Sequence, residues 1–271
     1  MLPFGLRCAE EWSPVNCFDY WYLKSTYPVW LYFAGRRQDA RALLYAGAYD
    51  ELPAQYDWIA QLSGDLWRPR GATAEHPGSP GQAFAAEDFL AHAQFLDVLL
   101  AEEVPRGGAA AAETLAKLPE LEAAATLGVL APWGSIANYH FSTLLAAMLA
   151  HERLGSADGA LQCAGIILEA DLTMGGTTSK QRHSLAHATR GRVLAAAEAG
   201  GKVEEAEAAF EAAIEAADSY GGHFFAALAL RDLCKHVLDG TSREQEGRQR
   251  LEAAASGLAC SVAEIESIVY P

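Results

Sequence analysis

The second half of this chain contains no internal proline. The last one is Pro132, and residues 133–270 are instead rich in alanine, leucine and glutamate. Proline interrupts a helix because it lacks the amide hydrogen and its ring clashes with the preceding turn. A proline-free segment of this length, divided by glycines, predicts a stack of helices. We therefore predict an all-α fold in which antiparallel helix pairs stack as a solenoid or as an irregular helical array.

Glycines divide this segment into separate helices, because a glycine just past a helix end readily adopts the left-handed conformation that terminates it. The pattern predicts six helices and a turn at 174–178. The six helices are expected at 138–154, 159–172, 183–199, 203–220, 223–238 and 242–258. A short last helix is expected to start at Ser261, where Ser261 and Glu264 have the spacing of a capping box.

The first 135 residues predict a less regular helical part. Residues 1–67 are rich in aromatic side chains, which either form a core for the first helices or dock a partner. Residues 68–83 combine proline and glycine at a density that no helix sustains. We therefore predict an aromatic-rich helical part at 1–67, a loop at 68–83, a helical segment at 84–135 and a helical array at 136–271.

Composition argues against several classes of function. The formal net charge of −15 opposes binding to nucleic acid and to anionic membrane surfaces. No stretch reaches the roughly 18 apolar residues of a membrane helix, so we expect a soluble, intracellular protein, most simply a cytoplasmic one. The five cysteines form no C-x-x-C pair, which argues against a zinc site and favours reduced thiols. We expect no cofactor.

One predicted helix pair resembles tetratricopeptide (TPR) repeats. The signature positions of the second helix in that family are filled here by Gly201, Ala206, Phe210 and Ala213. Two further helices begin with the same glycine and alanine, at Gly155 with Ala160 and at Gly35 with Ala40. Ala160 and Ala206 are 46 residues apart, whereas the family repeat is about 34 residues. The resemblance implies a divergent TPR-like array over about 136–260 that binds other proteins.

A local basic cluster lies within the acidic half of the chain. It consists of Lys180, Arg182, Arg190 and Arg192. The resemblance implies that the first helix of each pair lines a concave face, where such a cluster could bind an acidic peptide or a C-terminal carboxylate. The alternative is charge balance against neighbouring glutamates. Arg231, beside Asp232 in an apolar run, either forms an ion pair between helices or binds a partner's carboxylate.

Four histidines are candidates for a pocket or a metal site. His183 and His187 are one helical turn apart, a spacing that can hold a metal. However, Ser184 stands where the metalloprotease pattern needs a glutamate, and the sequence identifies no third ligand. His140 and His151 are eleven residues apart and therefore share a helix face, where packing between helices is the competing interpretation.

The preferred functional hypothesis is a protein–protein interaction module or an assembly subunit, with a protein or peptide as its partner and no catalysis. The five glutamates of the helix expected at 203–220 then form a solvated face. The chain lacks the glycine patterns of phosphate and dinucleotide sites and the serine elbow of hydrolases. The alternatives are a helical enzyme or small-molecule or metal-binding protein that uses a histidine pocket, and a structural fragment of a multidomain chain.

Overall fold

The computed structural model describes residues 28–29, 31–32, 36–45, 94–118, 134–169, 176–197 and 202–268. Within these ranges every regular element is a helix, and the prediction of an all-α protein is confirmed to that extent. None of the described helices is long and apolar enough to cross a membrane. The expected loop at 68–83 and the aromatic residues before 28 lie outside the described residues.

The chain divides into two compact units. The first comprises Met1–Glu103 and Lys117–Ala146, and the second comprises Val104–Ala116 and Ala147–Pro271. The helix Gly134–Arg153 contributes residues to both units, and the boundary expected at 136 falls in its first turn.

In the first unit, helix α1 (Arg37–Tyr45) follows Arg36, whose amide donates to the carbonyl of Leu31 at 2.8 Å. Residues 94–100 are also helical. Tyr32 is 1 % exposed and belongs to the core, which matches the core interpretation of the aromatic residues at this one position. Large side chains of the same unit that are also fully buried are those of Phe95, Leu96, Leu99 and Leu100.

The second unit contains the helices that follow. They are α2 (Gly108–Leu115), the end of α3 (Gly134–Arg153), α4 (Ala157–Glu169), α5 (Gly176–Ala196), α6 (Val203–Asp218), α7 (His223–Leu233), α8 (Glu244–Gly257) and α9 (Val262–Glu266). From α4 to α8, each helix packs against the next one in the chain. Helix α5 also contacts α7, so the pairs α5/α6 and α7/α8 touch through their first helices. Helices α3 and α4 are the pair that precedes them in the chain.

The observed helices follow the expected ones with three differences. Helix α3 begins at Gly134, four residues before the expected start at 138. Helix α5 already begins at Gly176, so the turn expected at 174–178 is wrong for residues 176–178. The helix expected at 223–238 ends in a π-helical turn, Cys234–Leu238, in which the amide of Asp239 donates to the carbonyl of Cys234 at 2.8 Å. A π turn inserts one residue into a helix, and such insertions are frequent at functional sites.

The helix ends confirm the glycine pattern where the structure describes them. Gly155, Gly221 and Gly240 have φ values of 74°, 77° and 70° and follow α3, α6 and the π turn. Residues with a Cβ rarely adopt this left-handed region. The glycine pair at 200–201 lies outside the described residues.

The hairpin that carries the TPR-like signature is closely packed. Ala206, Phe210 and Ala213 of α6 are completely buried. The ring of Phe210 lies over Gly191 of α5, where a Cβ would approach the ring to 2.7 Å. Because Gly191 has no side chain, nothing separates the Phe210 ring from the α5 backbone, and α5 and α6 approach closely.

The capping box of α9 is present as expected. The Ser261 hydroxyl accepts from the Glu264 amide, and the Glu264 carboxylate accepts from the Ser261 amide at 2.7 Å. Substitution Ser261→Ala should lower the free energy of unfolding by about 1 kcal/mol, because an amide in the first turn of the helix loses its acceptor. Ser261→Asp keeps an acceptor and should stay close to the parent. Urea unfolding would contradict this prediction if both variants had the same midpoint.

Candidate functional site

A cleft of about 990 Å³ opens in the second unit at the C-terminal ends of α3, α5 and α7. Apolar side chains of α5, α8 and α9, among them Val193, Leu251 and Val262, form part of its wall. Exposed charged residues of both signs surround these side chains: Arg106, Lys235, Arg248, Asp239, Glu244 and Glu266. The cleft therefore combines apolar surface with a charged rim.

The cleft wall contains a buried row of charges centred on Arg192 of α5. Its guanidinium donates to both carboxylate oxygens of Glu152 on α3, with Nε–Oε1 at 2.6 Å and Nη2–Oε2 at 3.0 Å. Its Nη1 donates to Oδ2 of Asp232 on α7 at 2.8 Å. The side chains of Glu152, Arg192 and Asp232 are 12 %, 6 % and 2 % exposed. One arginine thus joins the first helices of three successive pairs inside the protein.

Arg231 extends this row of charges to the end of the chain. Its Nε and Nη2 donate to Oδ1 of Asp232 at 2.8 and 2.6 Å. Its Nη1 donates to the carbonyls of Ile268 at 2.6 Å and Ile265 at 3.4 Å, at the C-terminal end of α9. Arg231 therefore pairs with Asp232 within α7 and also donates to two backbone carbonyls at the end of α9.

Glu152 and Asp232 belong to this row but are not among the site residues that the sequence predicts. Glu152, Arg192 and Asp232 are separated by 40 residues each. This regular interval in the first helices is a signal present in the sequence, whereas the TPR signature positions lie on second helices, where the spacing is irregular. We call this row the ion ladder; it comprises Glu152, Arg192, Asp232 and Arg231.

The basic cluster expected on α5 is divided between the interior and the surface. Arg182 and Arg192 are buried, whereas Lys180 and Arg190 are exposed. His183 and His187 are partly buried and lie between the two exposed residues in sequence. The structure therefore places one buried arginine of the cluster in the ion ladder and leaves two cations of the cluster at the surface.

The structure describes the side chains of three of the four candidate histidines. His151 is buried at the contact of α3 with α4, where its ring lies against Gly159 and its Nδ1 is 3.2 Å from the Ser156 hydroxyl. The side chain of His140 lies outside the described ones. Among the residues that the structure describes, no group of three or more histidine, cysteine or acidic side chains could hold a metal.

The surroundings of His183 and His187 on α5 lower the pKa of both imidazoles. Burial, together with the neighbouring His183 and Arg190, lowers the pKa of His187 to about 4. Burial also lowers the pKa of His183, although its hydrogen bond with the Ile167 carbonyl acts in the opposite direction. Both rings are therefore neutral at pH 7.

This shift predicts a loss of stability in mild acid. Between about pH 6.5 and pH 4 the unfolded chain binds a proton at His187 that the folded chain does not, so the free energy of unfolding falls as pH falls. Substitution His187→Gln removes this difference and should reduce the decrease between pH 7 and pH 5. Urea midpoints of both proteins at the two pH values test this. An equal decrease in the two proteins would contradict it.

Comparisons of the chain with models of known protein families, with curated proteins and with solved structures give no match. The described part of the chain is all-helical, and a buried ion ladder beside an open cleft joins helices α3, α5 and α7.

Proposed function

We propose that this chain is a protein–protein interaction module, and that its second unit is a TPR-like array that presents the cleft to a partner. The observation that carries the proposal is the cleft wall itself. Equivalent positions of three successive first helices, at intervals of 40 residues, meet there through Arg192. A repeated arrangement of this kind produces an extended surface from similar units, which is how helical solenoids bind proteins.

The ion ladder stabilises the packing of the helices and is not expected to react with a ligand. Both carboxylates of Glu152 and Asp232 accept hydrogen bonds from Arg192, and Asp232 also accepts from Arg231. A ligand that displaced one partner would leave a buried charge uncompensated, which is costly. Contact with a partner is therefore expected at the exposed rim and at the apolar wall.

The composition of the cleft resembles that of interfaces between proteins. Such interfaces combine an apolar centre with a polar, accessible rim. Here Val193, Leu251 and Val262 provide apolar surface, and exposed residues such as Lys235 and Glu266 surround it. Catalysis by a metal or by a free buried carboxylate has no comparable support in the described residues, because no metal-binding group is found there and the ladder carboxylates are paired.

Two matched substitutions test the proposal. Val193→Glu puts a charge on the apolar cleft wall, and Val203→Glu puts the same charge on an exposed position outside the cleft. The immobilised full chain should retain specific proteins from an extract of its source cells, and Val203→Glu should retain the same proteins. Val193→Glu should lose them while keeping the parent's helical circular dichroism. Identical capture by all three proteins, or none by the parent, would contradict the proposal.

A further inference from the structure

Helix α5 differs in charge from the rest of the chain. The chain has a net charge of −15, yet α5 contains no aspartate or glutamate and carries four lysine or arginine residues and two histidines. Two of these cations, Arg182 and Arg192, are inside the protein. The remaining four groups are Lys180, His183, His187 and Arg190.

These four residues form one stripe along α5. They follow each other at intervals of three, four and three residues, which places them on the same side of a helix. With a rise of 1.5 Å per residue, the stripe is about 15 Å long. We call it the basic stripe.

The two ends of the basic stripe are free to bind a ligand. Lys180 and Arg190 are exposed, and neither forms an ion pair or a hydrogen bond with any residue in the described part of the chain. The neighbouring helix α6 carries only acidic charged residues, for example the exposed Glu204 and Glu205. An acidic ligand is therefore repelled by α6 and attracted at the ends of the stripe.

We propose that the basic stripe docks an acidic segment of a partner protein, with carboxylates of that segment paired to Lys180 and Arg190. This inference rests on the proposed function, since it names the chemistry of the partner. A segment that spans about 15 Å needs only five extended residues, so one short acidic sequence reaches both cations. The partly buried imidazoles of His183 and His187 lie between the two cations in sequence.

A nucleic acid fits the stripe less well than an acidic segment does. Proteins that bind the phosphate backbone typically neutralise six to ten phosphates with lysine and arginine. The stripe supplies two such side chains, and the chain around it is strongly acidic. Long-range repulsion would therefore oppose a polyanion of high charge density more than a short peptide.

A peptide of defined sequence tests the inference without knowledge of the natural partner. The probe is a labelled ten-residue peptide of alternating glutamate and alanine, and its counterpart carries glutamine in place of glutamate. Fluorescence anisotropy at low ionic strength should detect binding of the first peptide and not of the second. The double variant Lys180→Gln/Arg190→Gln should bind about tenfold more weakly, since two exposed ion pairs are lost.

The matched control is Lys117→Gln/Lys202→Gln, which removes the same charge from two exposed lysines outside the stripe. This control should keep the parent's affinity for the peptide. Equal weakening in both double variants, or no binding by the parent, would overturn the inference. Tighter binding of a single-stranded oligonucleotide of equal charge would overturn it too.

The experiment also separates this inference from the proposed function. If the stripe variant binds the acidic peptide as well as the parent, while Val193→Glu still loses captured proteins, the basic stripe is refuted and the interaction module stands. If no variant changes protein capture but the stripe variant alone loses the peptide, the stripe binds acidic ligands and the cleft proposal fails.

Discussion

Replacement of Arg192 by methionine is expected to lower the free energy of unfolding by about 3–5 kcal/mol. The guanidinium compensates the buried carboxylates of Glu152 and Asp232. Methionine fills a similar length but leaves Glu152 without this partner and Asp232 with Arg231 alone. Buried charges without partners are among the few causes of a loss this large in a single substitution. Urea unfolding of the full chain, followed by circular dichroism, measures the effect.

A second arginine provides the matched control. Arg250 of α8 donates from Nη1 and Nη2 to the two oxygens of Glu211 on α6, at 2.6 and 2.9 Å, and so also forms two hydrogen bonds with one carboxylate. The side chains of this pair are 34 % and 40 % exposed. Because water screens exposed pairs, Arg250→Met should cost only about 0–1 kcal/mol. The difference between the two variants then reports the burial of the Arg192 pair together with its additional bond to Asp232.

A double variant tests whether the uncompensated charge is the cause. In Glu152→Leu/Arg192→Met one positive and one negative group are removed together, and Asp232 keeps its pair with Arg231. This protein should recover part of the stability that Arg192→Met loses, because replacement of a whole buried pair by apolar groups is often close to neutral. If Arg192→Met and Arg250→Met were equally stable, or if the double variant were less stable than Arg192→Met, the account of the ion ladder would be wrong.

The helices of the second unit could be predicted because their signals are local. Glycines at 155, 221 and 240 end helices in the left-handed conformation, and Ser261 caps α9 through an atom three residues away. Each signal depends on neighbours in sequence and needs no knowledge of the tertiary contacts. The observed start of α5 at Gly176 precedes the expected start at 183, because the threonines and serine before Lys180 have modest helix propensity and give no clear start signal.

The division of the basic cluster could not be predicted in the same way. Arg182 and Arg192 are separated by ten residues, and so are Lys180 and Arg190, so each pair occupies its own side of α5. Polar and apolar residues are spread almost evenly around this helix, so the sequence does not mark which side faces inward. That is decided by Glu152 and Asp232, which lie 40 residues away on either side.

The contact between Gly191 and Phe210 leads to the second large effect. Substitution Gly191→Ala should lower the free energy of unfolding by about 1–2 kcal/mol, although alanine is the better helix former by 0.5–1 kcal/mol. The new Cβ would lie 2.7 Å from Cε1 and 2.8 Å from Cδ1 of Phe210. The ring has little space to move away, because it is completely buried. It also stacks against His236, with centroids 6.5 Å apart.

Gly165 in α4 supplies the opposite case. A Cβ at this position has no other atom within 4 Å, so Gly165→Ala should stabilise the protein by about 0.5–1 kcal/mol through helix propensity alone. The same substitution in two helices of one unit is thus expected to change stability in opposite directions. Urea midpoints of the two variants decide this directly, and a gain in both would show that α5 and α6 can separate without cost.

Reducing the ring tests whether the clash lies at Phe210. Phe210→Leu alone should destabilise the protein, because it leaves space in the core beside Gly191. In the presence of Gly191→Ala the added methyl group occupies part of that space, so the double variant should lose less stability than the sum of the two single losses. A coupling of about 0.5 kcal/mol or more is expected for residues in direct contact. Additive losses would mean that the cost of Gly191→Ala arises elsewhere in α5, and the close approach of the two helices would then not depend on this glycine.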